Sequence, residues 1–124
     1  MGRKRKIFLD TNTIIYFLEG VKEFEVIGSF ETYYYSFITE IELLAFGNNK
    51  QRTVILNFLK RGKRTDIDDK IVSETIKVRK GTGLKIPDAI IVASAKRVGA
   101  DLYTSDNDIL KKITGLNTIN LREQ

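Results

Sequence analysis

Asp10, Glu42, Asp88 and Asp106 are the side chains of this sequence best placed to do chemistry together. Asp10 ends the apolar run Ile7-Phe8-Leu9, and Asp106 follows Leu102-Tyr103-Thr104 at a short distance. Glu42 comes just after a β-like run over residues 33–38, and Asp88 follows the only proline, Pro87. The 124-residue chain has no histidine and no cysteine. That removes Ser-His-Asp and Cys-His catalysis, the usual imidazole base, thiolate nucleophiles, disulfides and Cys-based metal sites. Carboxylates must then carry most of any chemistry. As hard oxygen ligands they suit Mg²⁺ or Mn²⁺, and a divalent ion so held lowers the pKa of a bound water and neutralises charge building on a phosphate.

The elements that must position these acids can be read from periodicity. Ile7-Phe8-Leu9 predicts a buried strand, followed by a tight turn and a helix carrying Ile14, Ile15, Phe17 and Leu18 to Gly20. Residues 33–38 predict a second strand. Thr39 and Glu42 then read as a capping box ahead of Leu43, Leu44 and Phe46. A helix over residues 51–59 precedes the basic group Lys60, Arg61, Lys63 and Arg64. Another opens at Asp68 and Asp69, carries Ile71, Val72, Ile76 and Val78, and stops at Gly81-Thr82-Gly83. Pro87 suits the first turn of the next helix, whose body over residues 89–95 is apolar nearly all round and must be buried. Leu102-Tyr103-Thr104 predicts a third strand, Ser105 an N-cap, and Ile109, Leu110 and Ile113 a last short helix; residues 117–121 suit an edge strand. The alternation implies an α/β fold over residues 1–124 as a single domain, with a central, mostly parallel sheet and helices on both faces.

In such a sheet the carboxyl ends of the strands and the starts of the following helices share one rim. The four acids therefore converge. Two carboxylates about 4 Å apart at an effective dielectric of ~20 repel by about 4 kcal/mol, of which a helix N-terminus returns about 0.3–1 kcal/mol. A proton or a cation must supply the rest. Plainer duties compete for each acid: Glu42 in its capping box, Asp88 and Asp106 at helix starts. Asp10 has no evident local cap duty, and Asn12 is suited to hold it by hydrogen bonding. Tyr33, Tyr34 and Tyr35 read as strand packing before they read as a base-stacking platform.

Twenty-one Lys and Arg against sixteen Asp and Glu leave a formal charge of +5, which favours an anionic partner. The basic groups around residues 60–64 and 79–85 are the expected contacts to a nucleic-acid backbone. No apolar run reaches the roughly 18 residues of a membrane span, and basic residues 1–6 lead straight into a β-like run, so the expected location is the cytoplasm, away from membranes.

The strings Ile7-Phe8-Leu9-Asp10-Thr11-Asn12, Ser36-Phe37-Ile38-Thr39-Glu40-Ile41-Glu42-Leu43, Ile86-Pro87-Asp88-Ala89-Ile90-Ile91-Val92-Ala93-Ser94-Ala95 and Tyr103-Thr104-Ser105-Asp106 occur in that order. Together they resemble the PIN domain, and more narrowly the VapC-type toxin ribonucleases of toxin–antitoxin pairs. The resemblance spans nearly the whole chain. It implies a three-layer PIN-like fold and a Mg²⁺- or Mn²⁺-dependent endoribonuclease. It also implies a catalytic quartet of Asp10, Glu42, Asp88 and Asp106, with Asp10 and Asp88 foremost as metal ligands and Asp106 beside them. Asn12, Thr104 and Asp108 match supporting positions. RNA, a small antitoxin protein and a second copy of the chain are the implied partners. A PIN nuclease of RNA processing, and a non-catalytic RNA- or partner-binding PIN domain, are the alternatives. A haloacid-dehalogenase-like phosphatase fits worse, because Asn12 stands where its acid–base Asp is needed.

Overall fold

The computed structural model describes residues 5–46 and 48–123, the side chain of Phe46 excepted. Residues 1–4 of the basic start, and the expected contact of Phe46, lie outside the described residues. Five strands form one fully parallel sheet: β1 (Lys6–Leu9), β2 (Tyr34–Ser36), β3 (Lys63–Thr65), β4 (Ala100–Tyr103) and β5 (Thr118–Ile119). Their order is β3-β2-β1-β4-β5, with Phe8 paired to Tyr34 on one side and to Leu102 on the other. The helices are α1 (Thr11–Leu18), α2 (Phe37–Phe46), α3 (Asn49–Arg61), α4 (Asp69–Thr82), α5 (Ile86–Val98) and α6 (Asn107–Lys112). Two 3₁₀ segments, Lys22–Ser29 and Leu121–Glu123, complete the order.

Strand pleating divides the core into two layers, because successive side chains point to opposite faces. Leu9 packs with Ile14, Ile27, Tyr33, Leu43 and Phe58 on one face, while Phe8 packs with Val78, Leu84, Val92 and Leu102 on the other. The α/β architecture with helices on both faces is therefore as expected, and its sheet is parallel throughout. Every residue from 89 to 95 is buried in α5, as an all-round apolar helix requires. The three tyrosines are packing residues. The Tyr33 hydroxyl donates to the Phe58 carbonyl, the Tyr35 hydroxyl donates to the Leu59 carbonyl at 3.1 Å, and Tyr34 faces the opposite layer.

Two local readings change. β3 is a strand although its Lys63-Arg64-Thr65 has no apolar alternation, because an edge strand exposed to water is free to be charged. The Thr39–Glu42 capping box does not form: α2 starts at Phe37, straight after β2, and Thr39 is buried inside its first turn. The capping box is instead at Asn48 and Gln51, which open α3. On α4, Ile71 and Val78 face the core, whereas Val72 and Ile76 point outward. No described helix is long and apolar enough to cross a membrane.

Candidate active site

All five strands run the same way, so their carboxyl ends share one rim. Asp10 leaves β1 at its centre, between β2 and β4, where the chain turns to build one half of the sheet and then the other. Ligands bind at such a switch point in open α/β sheets. Asp10 is buried and is the N-cap of α1: its Oδ1 accepts the Thr13 N–H at 2.8 Å. Local cap duty thus exists for Asp10, contrary to the sequence reading. The Thr13 hydroxyl donates to the Tyr103 carbonyl at 3.0 Å, tying α1 to the end of β4. Burial pushes the Asp10 carboxyl above its ordinary pKa, and the Asp106 charge adds to this, while bonds from Thr104 and Thr13 pull it back.

Asp106 caps α6, its Oδ1 accepting from the Ile109 N–H at 2.9 Å. It displaces Ser105 from that role; the Ser105 hydroxyl donates instead to Asn120 Oδ1 at 2.7 Å. Fully buried Thr104 joins the two aspartates, since its hydroxyl accepts the Asp106 N–H at 3.1 Å and hydrogen-bonds Asp10. Thr104→Val keeps the shape and removes both bonds. It is expected to lower stability by about 1–3 kcal/mol, the usual penalty for stranding buried polar partners, as denaturant unfolding would show.

Glu42 is held across two helices. The Thr11 hydroxyl donates to Glu42 Oε1 at 2.6 Å and lies 3.0 Å from the Thr39 hydroxyl. With its one proton given to Glu42, Thr11 must accept from Thr39. This clamp replaces the capping box as the reason for Glu42's orientation.

Asp88 lies half-buried in the first turn of α5 and reports on the others. Its pKa is raised to about 6, first by burial and then by the charges of Asp106, Asp10 and Glu42, with Lys85 opposing. Asp106, Asp10 and Glu42 therefore all act on Asp88, and Asp106 acts on Asp10 as well. Among the described residues, however, no three acidic side chains stand close enough to form a ready metal cage. Asp10 and Asp106 each commit one oxygen to a helix cap, and Glu42 is turned to Thr11. Two carboxylates and several waters are enough for Mg²⁺, so the donor set, all oxygen and under mutual repulsion, fits such an ion without a cage of three.

Of the supporting residues, Thr104 joins the site. Asn12 is exposed on α1 and is not a partner of Asp10, and Asp108 is exposed on α6. Thr11, Thr13 and Thr39 were not singled out from sequence as parts of the site, and Lys85 only as a member of the basic group around residues 79–85. The Asp10-Thr11-Asn12-Thr13 string held the only signal for two of them. The basic groups also divide. Lys85 stands by Asp88, but Lys60 and Arg61 precede β3 and so lie toward the far edge of the sheet, and Arg64 is paired with Glu40 and Asp66. Beside Glu42, α1, α2 and α3 enclose a groove of about 590 Å³ with Ile15, Leu18, Leu43 and Val54 in its walls.

Solved structures share this architecture. The DNA-bound VapBC complex of Salmonella typhimurium superposes with a TM-score of 0.80 at 22% identity, covering 94% of this chain and 98% of that one. FitAcB of Neisseria gonorrhoeae gives 0.78 at 21%, covering 95% and 99%. A toxin–antitoxin complex from Klebsiella pneumoniae gives 0.77 at 24%, covering 94% and 98%. No curated protein sequence matches significantly. Identities this low establish the shared fold. A match of the PIN domain family over residues 7–116 takes in all four acids, and with it this chain belongs to the PIN-domain family.

Proposed function

We propose that this PIN domain is a Mg²⁺- or Mn²⁺-dependent endoribonuclease with Asp10, Glu42, Asp88 and Asp106 as its catalytic carboxylates. The observation that carries the reading is Asp88, held near pKa 6 by burial and by the charges of the other three. Perturbed acids on a strand-end rim are the usual mark of a working site. Asp10, Asp88 and Asp106 would hold the ion, which when bound polarises a phosphate and makes water more acidic. The chain's own residues prepare that site. Thr104 holds Asp10 and Asp106 in fixed relation, Thr11 and Thr39 aim Glu42, and Asp88 gives up its proton near pH 6. Lys85 offers a cation to the substrate backbone. Lys85→Gln should weaken RNA binding several-fold and reduce the salt slope by about 0.7, the loss expected for one single-strand phosphate contact.

With no histidine in the chain, an imidazole acid–base route through the RNA 2′-hydroxyl is closed. Attack of water on phosphorus with departure of the 3′-oxygen leaves a 5′-phosphate and a 3′-hydroxyl. Divalent-dependent cleavage of total RNA with those ends is the expected result. Cyclic 2′,3′-phosphate ends, or full activity in EDTA, would overturn the reading.

A VapC-like toxin is the specific role that fits best. The fold is that of solved toxin–antitoxin components, and the apolar groove beside Glu42 suits an amphipathic segment of a small antitoxin. Val72 and Ile76, one turn apart and outward on α4, offer an apolar strip for a homodimer. The place of action is the cytoplasm, where RNA and antitoxin meet. Expression of the chain in a bacterial host should arrest growth, and a small neighbouring reading frame should relieve the arrest. RNA cleavage without growth arrest would favour a PIN nuclease of RNA processing.

A further inference from the structure

Away from the acidic rim, three lysines converge on a cleft that holds a single carboxylate. A cleft of about 230 Å³ opens between α4, α5 and the end of α6, lined by Lys77, Lys96 and Lys112, with Glu74 as its one carboxylate. Among the described residues, none of the three lysines makes an ion pair. Lys96 and Lys112 have a local explanation in the last turns of α5 and α6, where a cation complements the helix dipole. Lys77 sits inside α4 and has none. Bringing all three to one cleft adds repulsion that an anion would remove.

At the end of α4 the Arg79 carbonyl is engaged by the Gly83 N–H at 2.8 Å, and the Thr82 hydroxyl in the lining is turned to the Val78 carbonyl at 2.7 Å. The volume accommodates a phosphate with a few waters, at about 30 Å³ per water.

Position indicates which anion. α6 begins at Asp106 and ends at Lys112, a span of about 9 Å at ~1.5 Å per residue. A strand advances roughly 3.4 Å along its axis per nucleotide, with its phosphates farther apart through space, so this distance is reached within a few nucleotides. We propose that the cleft lined by Lys77, Lys96 and Lys112 holds a backbone phosphate of the RNA substrate, beyond the nucleotides that flank the bond that is cut. The proposal rests on the nuclease reading above and extends it, making the enzyme's grip on RNA depend on substrate length. An acidic protein segment fits less well, because Val78 and Ile113 are the only apolar anchors in the lining.

The test compares Lys77→Gln/Lys112→Gln with the charge-matched Lys22→Gln/Lys70→Gln, whose lysines lie outside the cleft. All four lysines are exposed or surface residues without ion pairs, so both variants should fold, which melting would verify. Two probes are used: a single-stranded RNA of about twelve nucleotides, within the usual range of single-strand sites, and a trinucleotide that spans only the cut. In EDTA, the cleft variant should lose about 0.7 from the salt slope of binding to the longer RNA, the loss expected for one single-strand phosphate. With metal, its KM for the longer RNA should rise roughly tenfold, as expected for lost uniform binding, with kcat and trinucleotide cleavage unchanged. An unchanged slope and KM, or the same losses in the control variant, would overturn the proposal and leave an acidic protein segment as the cleft's occupant. A wild-type protein that cleaves neither RNA would remove the nuclease reading and this site with it.

Discussion

Asp88→Asn should give a protein that no longer cuts RNA yet is more stable than the wild type at pH 7.5. Loss of activity should exceed about 100-fold, the upper range for mutations that act on a metal site only through its supporting partners. Stability should rise because the substitution removes a charge from the field of three others. Asp88 caps no helix, since α5 has no side-chain cap bond at its start. The pKa of about 6 in the fold lies above the ordinary 3.8, so ionising Asp88 works against folding. The penalty is absent below pH 4, where the side chain is protonated whether folded or unfolded. It grows from pH 4 to 6 and is complete above 6. Allowing for the partial exposure of the group, the gain at pH 7.5 is about 1 kcal/mol. Thermal melts in EDTA at pH 4 and 7.5 measure it. A variant less stable than the wild type at pH 7.5, or one that still cleaves, contradicts this picture.

Millimolar Mn²⁺ should raise the melting temperature of the wild type at pH 7.5 and do so much less at pH 5. An ion at ~100 times its Kd contributes about 2.7 kcal/mol, which amounts to several degrees for a chain of this size. At pH 5 Asp88 holds its proton, and Asp10, raised in the same direction by burial, resists ionising as well. The site then offers fewer anionic oxygens. Cleavage should fall over the same interval, as pH drops through 6, because binding and chemistry draw on the same ionised acids. Asp88→Asn should abolish most of the Mn²⁺ shift at pH 7.5. A shift of equal size at both pH values, or in the variant, would mean that the ion binds elsewhere on the protein.

How far the site was legible depended on the range of the interaction involved. Asp10 and Asp106 stand at the ends of short apolar strands, and strand periodicity placed both on the rim. Their capping roles were misassigned: Asp10 showed no cap duty in the sequence, and Ser105 and Asp106 look alike as cap candidates until the backbone turns. Asp10 accepts from a donor only three residues away, yet the bond depends on α1 starting at Thr11. For Glu42 the local signal misled. The Thr39–Glu42 spacing is that of a capping box, but Thr39 is buried against α1, so both side chains answer to Thr11, 28 and 31 residues earlier in the chain. The apolar residues of α4 did not show which of them would be buried: Ile71, Val72, Ile76 and Val78 cannot share one side of a helix, and packing buried Ile71 and Val78 alone.

By itself the sequence determined the order of helices and of every strand but β3, the burial of α5 and the presence of four acids at helix starts or strand ends in a chain without histidine or cysteine. These follow from chemistry and periodicity, which act within a few residues and need no knowledge of the fold. The tertiary structure alone decided that Thr104 bridges Asp10 and Asp106, that Glu42 is aimed from α1, and that Lys85 rather than Lys60 or Arg61 faces the rim. It alone brought Lys77, Lys96 and Lys112 to one cleft. Each of these depends on where whole elements pack, and a hydroxyl or an ammonium carries no local signature of the distant partner it will meet.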